Sequence, residues 1–176
     1  MKKTILLLIV MIVSASAWDT AKVIYPPYEG TEYDGDTLWL KKGNSKPFKV
    51  RLIGLDTFET KVNHRAFIQL RMMKDIHRKH LSNVKPTIKL VLHYGYKAKE
   101  FVSSHVLGKK VEYHSYGKDK YGRELIYIKN LNYLLIRNGL AVQYPNNKIH
   151  QKRKDFLLEA SRKANLERRG IYARGK

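Results

Sequence analysis

The chain has 176 residues, with 35 lysines and arginines against 15 aspartates and glutamates, a formal charge of +20 and a pI near 10.0. That length favours one domain able to bury a real core, and that charge favours polyanionic partners, nucleic acid or an anionic membrane surface. The absence of cysteine excludes a disulfide framework and a thiol for lipid attachment, so stability must come from the core, or from core plus ligand.

At the start, Lys2 and Lys3 precede an apolar run, 5–13, and the small residues Ser14-Ala15-Ser16-Ala17. This pattern predicts a secretory signal cleaved after Ala17, leaving 18–176 as one exported domain, secreted or periplasmic. The run is nine residues long, against the roughly 20 needed to span a bilayer, so no stable membrane anchor is expected.

Apolar periodicity and turn residues predict five strands, at 22–25, 37–40, 48–55, 111–116 and 125–128. A helix at 94–107, with Ala98, Phe101, Val102 and Val106 on one face and Gly108 as its stop, separates the third from the fourth. A short helix at 132–138, capped by Asn132 and ended by Gly139, follows the fifth. The last helix, 151–169, places Phe156, Leu157, Ala160 and Ala164 on one stripe. Three strands, a helix and two strands is the order of an OB barrel, giving an α+β fold with about three helices plus an inserted helical segment at 62–93. No internal repeat divides the chain.

The third predicted strand carries the chemistry. It contains Arg51 and runs into a turn bearing Asp56 and Glu59, while Asp34-Gly35-Asp36-Thr37 lies just upstream. Charges clustered at the end of an apolar strand are costly unless something compensates them, which marks a candidate site. Taken alone, Asp34-Gly35 is also a common hairpin signal, and Arg51 has a bland reading as a salt bridge to Asp56 or Glu59.

These segments, Arg51 to Thr57 with Glu59-Thr60-Lys61, then Tyr94-Gly95 with Ala98, Asp119-Lys120-Tyr121-Gly122-Arg123, Asn138-Gly139-Leu140-Ala141 and Pro145-Asn146-Asn147, resemble the staphylococcal (micrococcal) nuclease family in order and context. The resemblance implies a calcium-dependent nuclease that cleaves DNA and RNA, prefers single strands and leaves 3′-phosphate ends. It assigns metal binding to Asp36, Asp56 and the Thr57 carbonyl, and leaves Asp34 as the turn residue. Two carboxylates and a carbonyl are hard oxygen donors of the kind calcium takes. Arg51 and Arg123 become phosphate forks for the transition state. Lys120 and Tyr121 become contacts to a neighbouring phosphate.

Glu59 is the residue that handles the attacking water. A carboxylate of ordinary pKa near 4 is a weak base at neutral pH, so orienting the water and abstracting its proton both stand as roles. Tyr144 offers either a face for base stacking or an aromatic packed under the last helix.

Two departures from the family pattern stand out. Phe58 occupies the position where proline usually lies between the threonine and the glutamate, so the turn carrying Glu59 is expected to be looser, with activity tuned and not lost. The segment 62–93 is longer than the usual connection. Its stripe of Phe67, Leu70, Met73 and Ile76 predicts a helix packed on the barrel, with Arg65, Arg71, Lys74, Arg78 and Lys79 on its solvated faces. Extending the nucleic-acid groove and touching a membrane are the alternatives for that helix, and His77 with His80 gives only a weak zinc pattern. The rival functions are a non-catalytic OB module that binds nucleic acid and a basic structural or cell-surface protein. Carboxylates in a binding groove repel phosphate unless a metal accompanies them, which favours the enzyme, expected as a monomer.

Overall fold

The computed structural model describes residues 18–27, 34–79 and 83–173; the expected signal segment and His80 lie outside them. The strands are β1 (Asp19–Ile24), β2 (Thr37–Lys41), β3 (Phe48–Leu52), β4 (Leu55–Thr57), β5 (Lys110–Lys118), β6 (Glu124–Ile128) and β7 (Ala141–Gln143). The helices are α1 (His64–Lys79), α2 (Ile88–Val106), α3 (Leu131–Arg137) and α4 (Gln151–Leu166), followed by one 3₁₀ turn, Gly170–Tyr172. None of the described helices is long and apolar enough to cross a membrane.

Five strands close a barrel in the order β1-β2-β3-β6-β5, antiparallel throughout except where β3 runs parallel to β6. This is the α+β, OB-type barrel that the element order predicts. Alternation along β3 sends Val50 and Leu52 into the core, so Arg51 between them must point out of the barrel. On α2, Ala98, Val102 and Val106 share a face and join the barrel core with Leu38, Leu40 and Ile126.

Several boundaries differ from expectation. The predicted strand 48–55 breaks at Ile53-Gly54, because Gly54 adopts φ +84°, a conformation open to glycine. Beyond the break, β4 pairs with β7, a strand absent from the sequence reading, setting Asp56 opposite Val142. Three residues are too few for periodicity to register. Asn132 does not cap α3. It is fully buried, accepting from the Ile128 N–H at 3.0 Å and donating to the Ile53 carbonyl at 2.8 Å, which ties the helix to the β3–β4 turn. Phe156 leaves the α4 stripe, half exposed and stacked on Tyr133 at 4.3 Å, while Leu157, Ala160 and Ala164 are buried.

The segment 62–93 resolves into α1 and the opening turns of α2, which starts at Ile88 behind the Thr87 cap. A second core forms there, where Ala66 and Met73 of α1 meet Val91, Ile171, Tyr172 and Phe58. The inward face of α1 is Ala66, Gln69, Met73 and His77, so the helix is rotated from the predicted stripe and Phe67 is half exposed. A polar residue can face inward when its groups are satisfied, and Gln69 meets that condition.

Candidate active site

The turn 34–37 is organised by Asp34, whose Oδ1 accepts from the N–H of Asp36 at 3.2 Å and of Thr37 at 2.7 Å. That turn aims Asp36 inward. One Asp36 oxygen accepts the Thr57 N–H at 2.9 Å and the other meets Arg51 Nη1 at 2.5 Å. Arg51 Nη2 reaches Asp56 Oδ1 at 2.6 Å, so one guanidinium joins carboxylates from two distant segments. The salt bridge considered for Arg51 therefore exists, to Asp56 and Asp36 and not to Glu59.

Burial, and then the charge of Asp34, pushes the Asp36 carboxyl well above its ordinary value, against the pull of Arg51. Burial acts to lower the Arg51 guanidinium, but Asp36 and Asp56 outweigh it and leave it raised. Arg51 thus does not offset the burial of Asp36 and the charge of Asp34 beside it.

Glu59 enters from the loop after β4. Its backbone N–H donates to Gln69 Oε1 at 2.8 Å, and the Gln69 amide in turn donates to the Thr57 carbonyl at 2.9 Å and to Asp56 Oδ2 at 3.2 Å. Gln69 thereby fastens the residues on both sides of Phe58, where the sequence reading expects a loose turn for want of proline. The carboxylate of Glu59 accepts from Asn63 Nδ2 at 2.9 Å and pairs with Arg65 Nε at 3.3 Å. Arg65 Nη2 also lies 2.5 Å from Asp56 Oδ1.

Gly95 of α2 makes this loop possible, because a Cβ there would sit 2.2 Å from the Glu59 carbonyl oxygen. Arg123 is not a free hairpin arginine. Its Nε and Nη2 grip Asp119 Oδ2 at 2.8 and 2.7 Å, while Asp119 Oδ1 accepts two backbone N–H groups of the same loop.

Arg51, Glu59 and Arg123 line one open cavity of about 500 Å³ with Lys120, Tyr121 and Tyr144. Asp36, Asp56 and Thr57 lie buried behind Arg51. Tyr121 is 71% exposed, with Lys120 Nζ 5.0 Å and the Arg123 guanidinium 5.4 Å from its ring centre. Tyr144 is 54% exposed on the cavity wall and so is not an aromatic fully packed under the last helix.

Among the described residues no three acidic or histidine groups gather as a ligand set; Asp36, Asp56 and the Thr57 carbonyl are oxygen donors that could hold a cation here. This donor set fits a hard divalent ion: two buried carboxylates converge on Arg51, and Gln69 bridges Asp56 to the neighbouring Thr57 carbonyl.

Asn63, Arg65 and Gln69 were not singled out as site residues by sequence reasoning. The signal available was the tether: only 60–63 separate Glu59 from α1, so its first turn must lie beside that carboxylate. Asn63 also has the residue type and spacing of a helix cap, its Oδ1 accepting from the Ala66 N–H at 2.9 Å.

Comparison with known proteins identifies the family. The family described as "Staphylococcal nuclease homologue" matches residues 49–174. The chain is 32% identical to the thermonuclease of Staphylococcus intermedius over 149 residues, covering 80% of this chain and 72% of that protein. It is 30% identical to the thermonuclease of Staphylococcus hyicus over 149 residues, covering 80% and 71%. The barrel, the ordered motifs and these matches together place the chain in the staphylococcal nuclease family.

Proposed function

We propose that the protein is a calcium-dependent nuclease that hydrolyses phosphodiester bonds of DNA and RNA with little sequence specificity and leaves 3′-phosphate ends. The observation that carries this reading is the convergence of Arg51, Glu59 and Arg123 on one open cavity backed by the Asp36–Asp56 pair. Asp36, Asp56 and the Thr57 carbonyl would hold the cation, which when bound supplies Lewis-acid polarisation of a phosphate oxygen.

The chain's own groups do the rest. Glu59, fixed by Asn63 and Arg65, orients a water toward phosphorus and accepts its proton directly or through solvent. The water oxygen bonds to phosphorus, the bond to the 5′ oxygen breaks, and that oxygen leaves as a hydroxyl after taking up a proton. Arg51 and Arg123 donate to the non-bridging oxygens as their charge grows. Lys120 and Tyr121 hold the adjacent phosphate, and Tyr144 stacks a base. Low sequence specificity follows from contacts to backbone and ring faces in place of base edges.

The protein is exported, released as residues 18–176 by cleavage after Ala17, and acts as a monomeric domain. Support comes from the charged, apolar and small residues at its start and from its likeness to thermonucleases. The deciding experiment incubates the purified protein with DNA and with RNA, in calcium, in magnesium and in chelator. Cleavage of both substrates in calcium alone is expected; metal-independent binding without cleavage would instead support a non-catalytic OB module.

A further inference from the structure

We propose that α1 is part of the active centre and that its Arg65 is a third phosphate-binding guanidinium beside Arg51 and Arg123. This rests on the nuclease reading for its substrate, a phosphodiester, but its geometry stands separately.

Arg65 Nη2 and Arg51 Nη2 approach the same oxygen, Asp56 Oδ1, at 2.5 and 2.6 Å. Arg65 also reaches Glu59 at 3.3 Å and lines the same cavity as Arg51 and Arg123. Its side chain is 47% exposed against 20% for Arg51, so it is the more accessible of the two cations sharing that oxygen. A divalent cation taken up by Asp56 competes with both guanidiniums for that oxygen. Arg65, on a long stem at the cavity edge, then turns to the nearest remaining anion, the phosphate, while Glu59 keeps it from swinging into solvent.

Charge balance favours a group of this kind. Asp34, Asp36, Asp56 and Glu59 bring four carboxylates to the centre; Arg123 is paired with Asp119 and Lys120 stands elsewhere in the cavity lining, so Arg51 and Arg65 are the cations in direct contact with Asp36, Asp56 and Glu59. A divalent ion with Arg51 offsets three of those four charges, and Arg65 offsets the fourth at the point of contact, which lowers the repulsion of an incoming phosphodiester. The insertion that carries Arg65 is anchored by Ala66 and Met73 in the second core and by Gln69 on the Glu59 loop, so its first turn is held in position.

The alternative is that Arg65 only latches α1 to the barrel. A probe carrying phosphate but no phosphodiester separates the two, because it binds without being cut. Calorimetric titration of a nucleoside 3′,5′-bisphosphate, with calcium present, should show binding weakened about tenfold to a hundredfold in Arg65→Ala and in Arg65→Gln, which keeps a hydrogen-bond donor without charge. Arg65→Lys should recover part of that loss. Arg65→Met, which keeps the stem packed, serves if the alanine variant unfolds.

Bisphosphate affinity in Arg65→Gln or Arg65→Met equal to that of the parent would overturn the proposal while leaving the nuclease reading intact. A parent protein that binds bisphosphate through Arg65 yet never cleaves DNA or RNA would overturn the nuclease reading and leave this one standing.

Discussion

Arg51 is the residue on which the others depend, since its two terminal nitrogens are taken by carboxylates brought from 15 and 5 positions away in the chain. Its planar fork matches that pair, and a lysine's point charge does not. Arg51→Lys should therefore stay folded and lose roughly 10²- to 10³-fold in kcat, with a smaller change in KM. Steady-state kinetics beside a thermal melt checks both halves of that expectation. Gly95 poses the opposite question, of room and not of charge. Alanine in a helix interior is favoured over glycine by about 1 kcal/mol, yet here a Cβ 2.2 Å from the Glu59 carbonyl must displace the loop. Gly95→Ala should lower both Tm and kcat, and a raised Tm with unchanged kcat would show that the loop yields freely. Tyr94-Gly95 was legible as a motif, but its reason was not, because nothing local to residue 95 reveals that Glu59 lies against it.

Among the elements, α1 departs most from expectation. As an isolated amphipathic pattern it reads as a helix on a barrel, and the helix does form. Its orientation depends on Gln69, whose polar amide is buried because the 57–59 backbone and Asp56 satisfy it. The same rotation closes the second core over Phe58, which is 1% exposed. Substituting proline there would restore the family pattern but remove a packed aromatic ring. Loss of a buried phenylalanine side chain costs about 3 to 5 kcal/mol, well above the 0.4 to 1 kcal/mol gained from restricting the unfolded chain. Phe58→Pro should thus unfold at markedly lower urea concentration, because Phe58 packs the second core as well as standing in for proline in the turn. The barrel strands carry a second tension. Lys22 of β1 is opposite Lys41 of β2 and Lys110 of β5, a row of like charges across three strands. Opposite charges in such positions stabilise by about 0.2 to 1 kcal/mol per pair, so Lys22→Glu should raise Tm, most clearly at low salt.

For the whole molecule, buried carboxylates at the centre and a formal charge of +20 over the chain favour two ligands of opposite sign, a cation and a polyanion. A cation that binds the folded state alone adds stability by mass action, about 2.7 kcal/mol at a hundredfold excess over its Kd. Calcium should accordingly raise Tm and chelator should reverse the shift; an unchanged melt at saturating calcium would argue against the Asp36–Asp56 site. Contiguous residues carried the barrel strands, the helix faces, the basic charge and the ordered motifs, because periodicity, turn chemistry and charge are properties of neighbours along the chain. What depended on remote segments meeting was hidden from them: the β4–β7 pairing, Phe58 in a second core, Gln69 satisfied inside, and Arg65 beside Glu59 and Asp56. Whether a polar or charged side chain is buried, paired or free is settled by the groups folding brings against it, and those come from segments whose distance in space the sequence does not state.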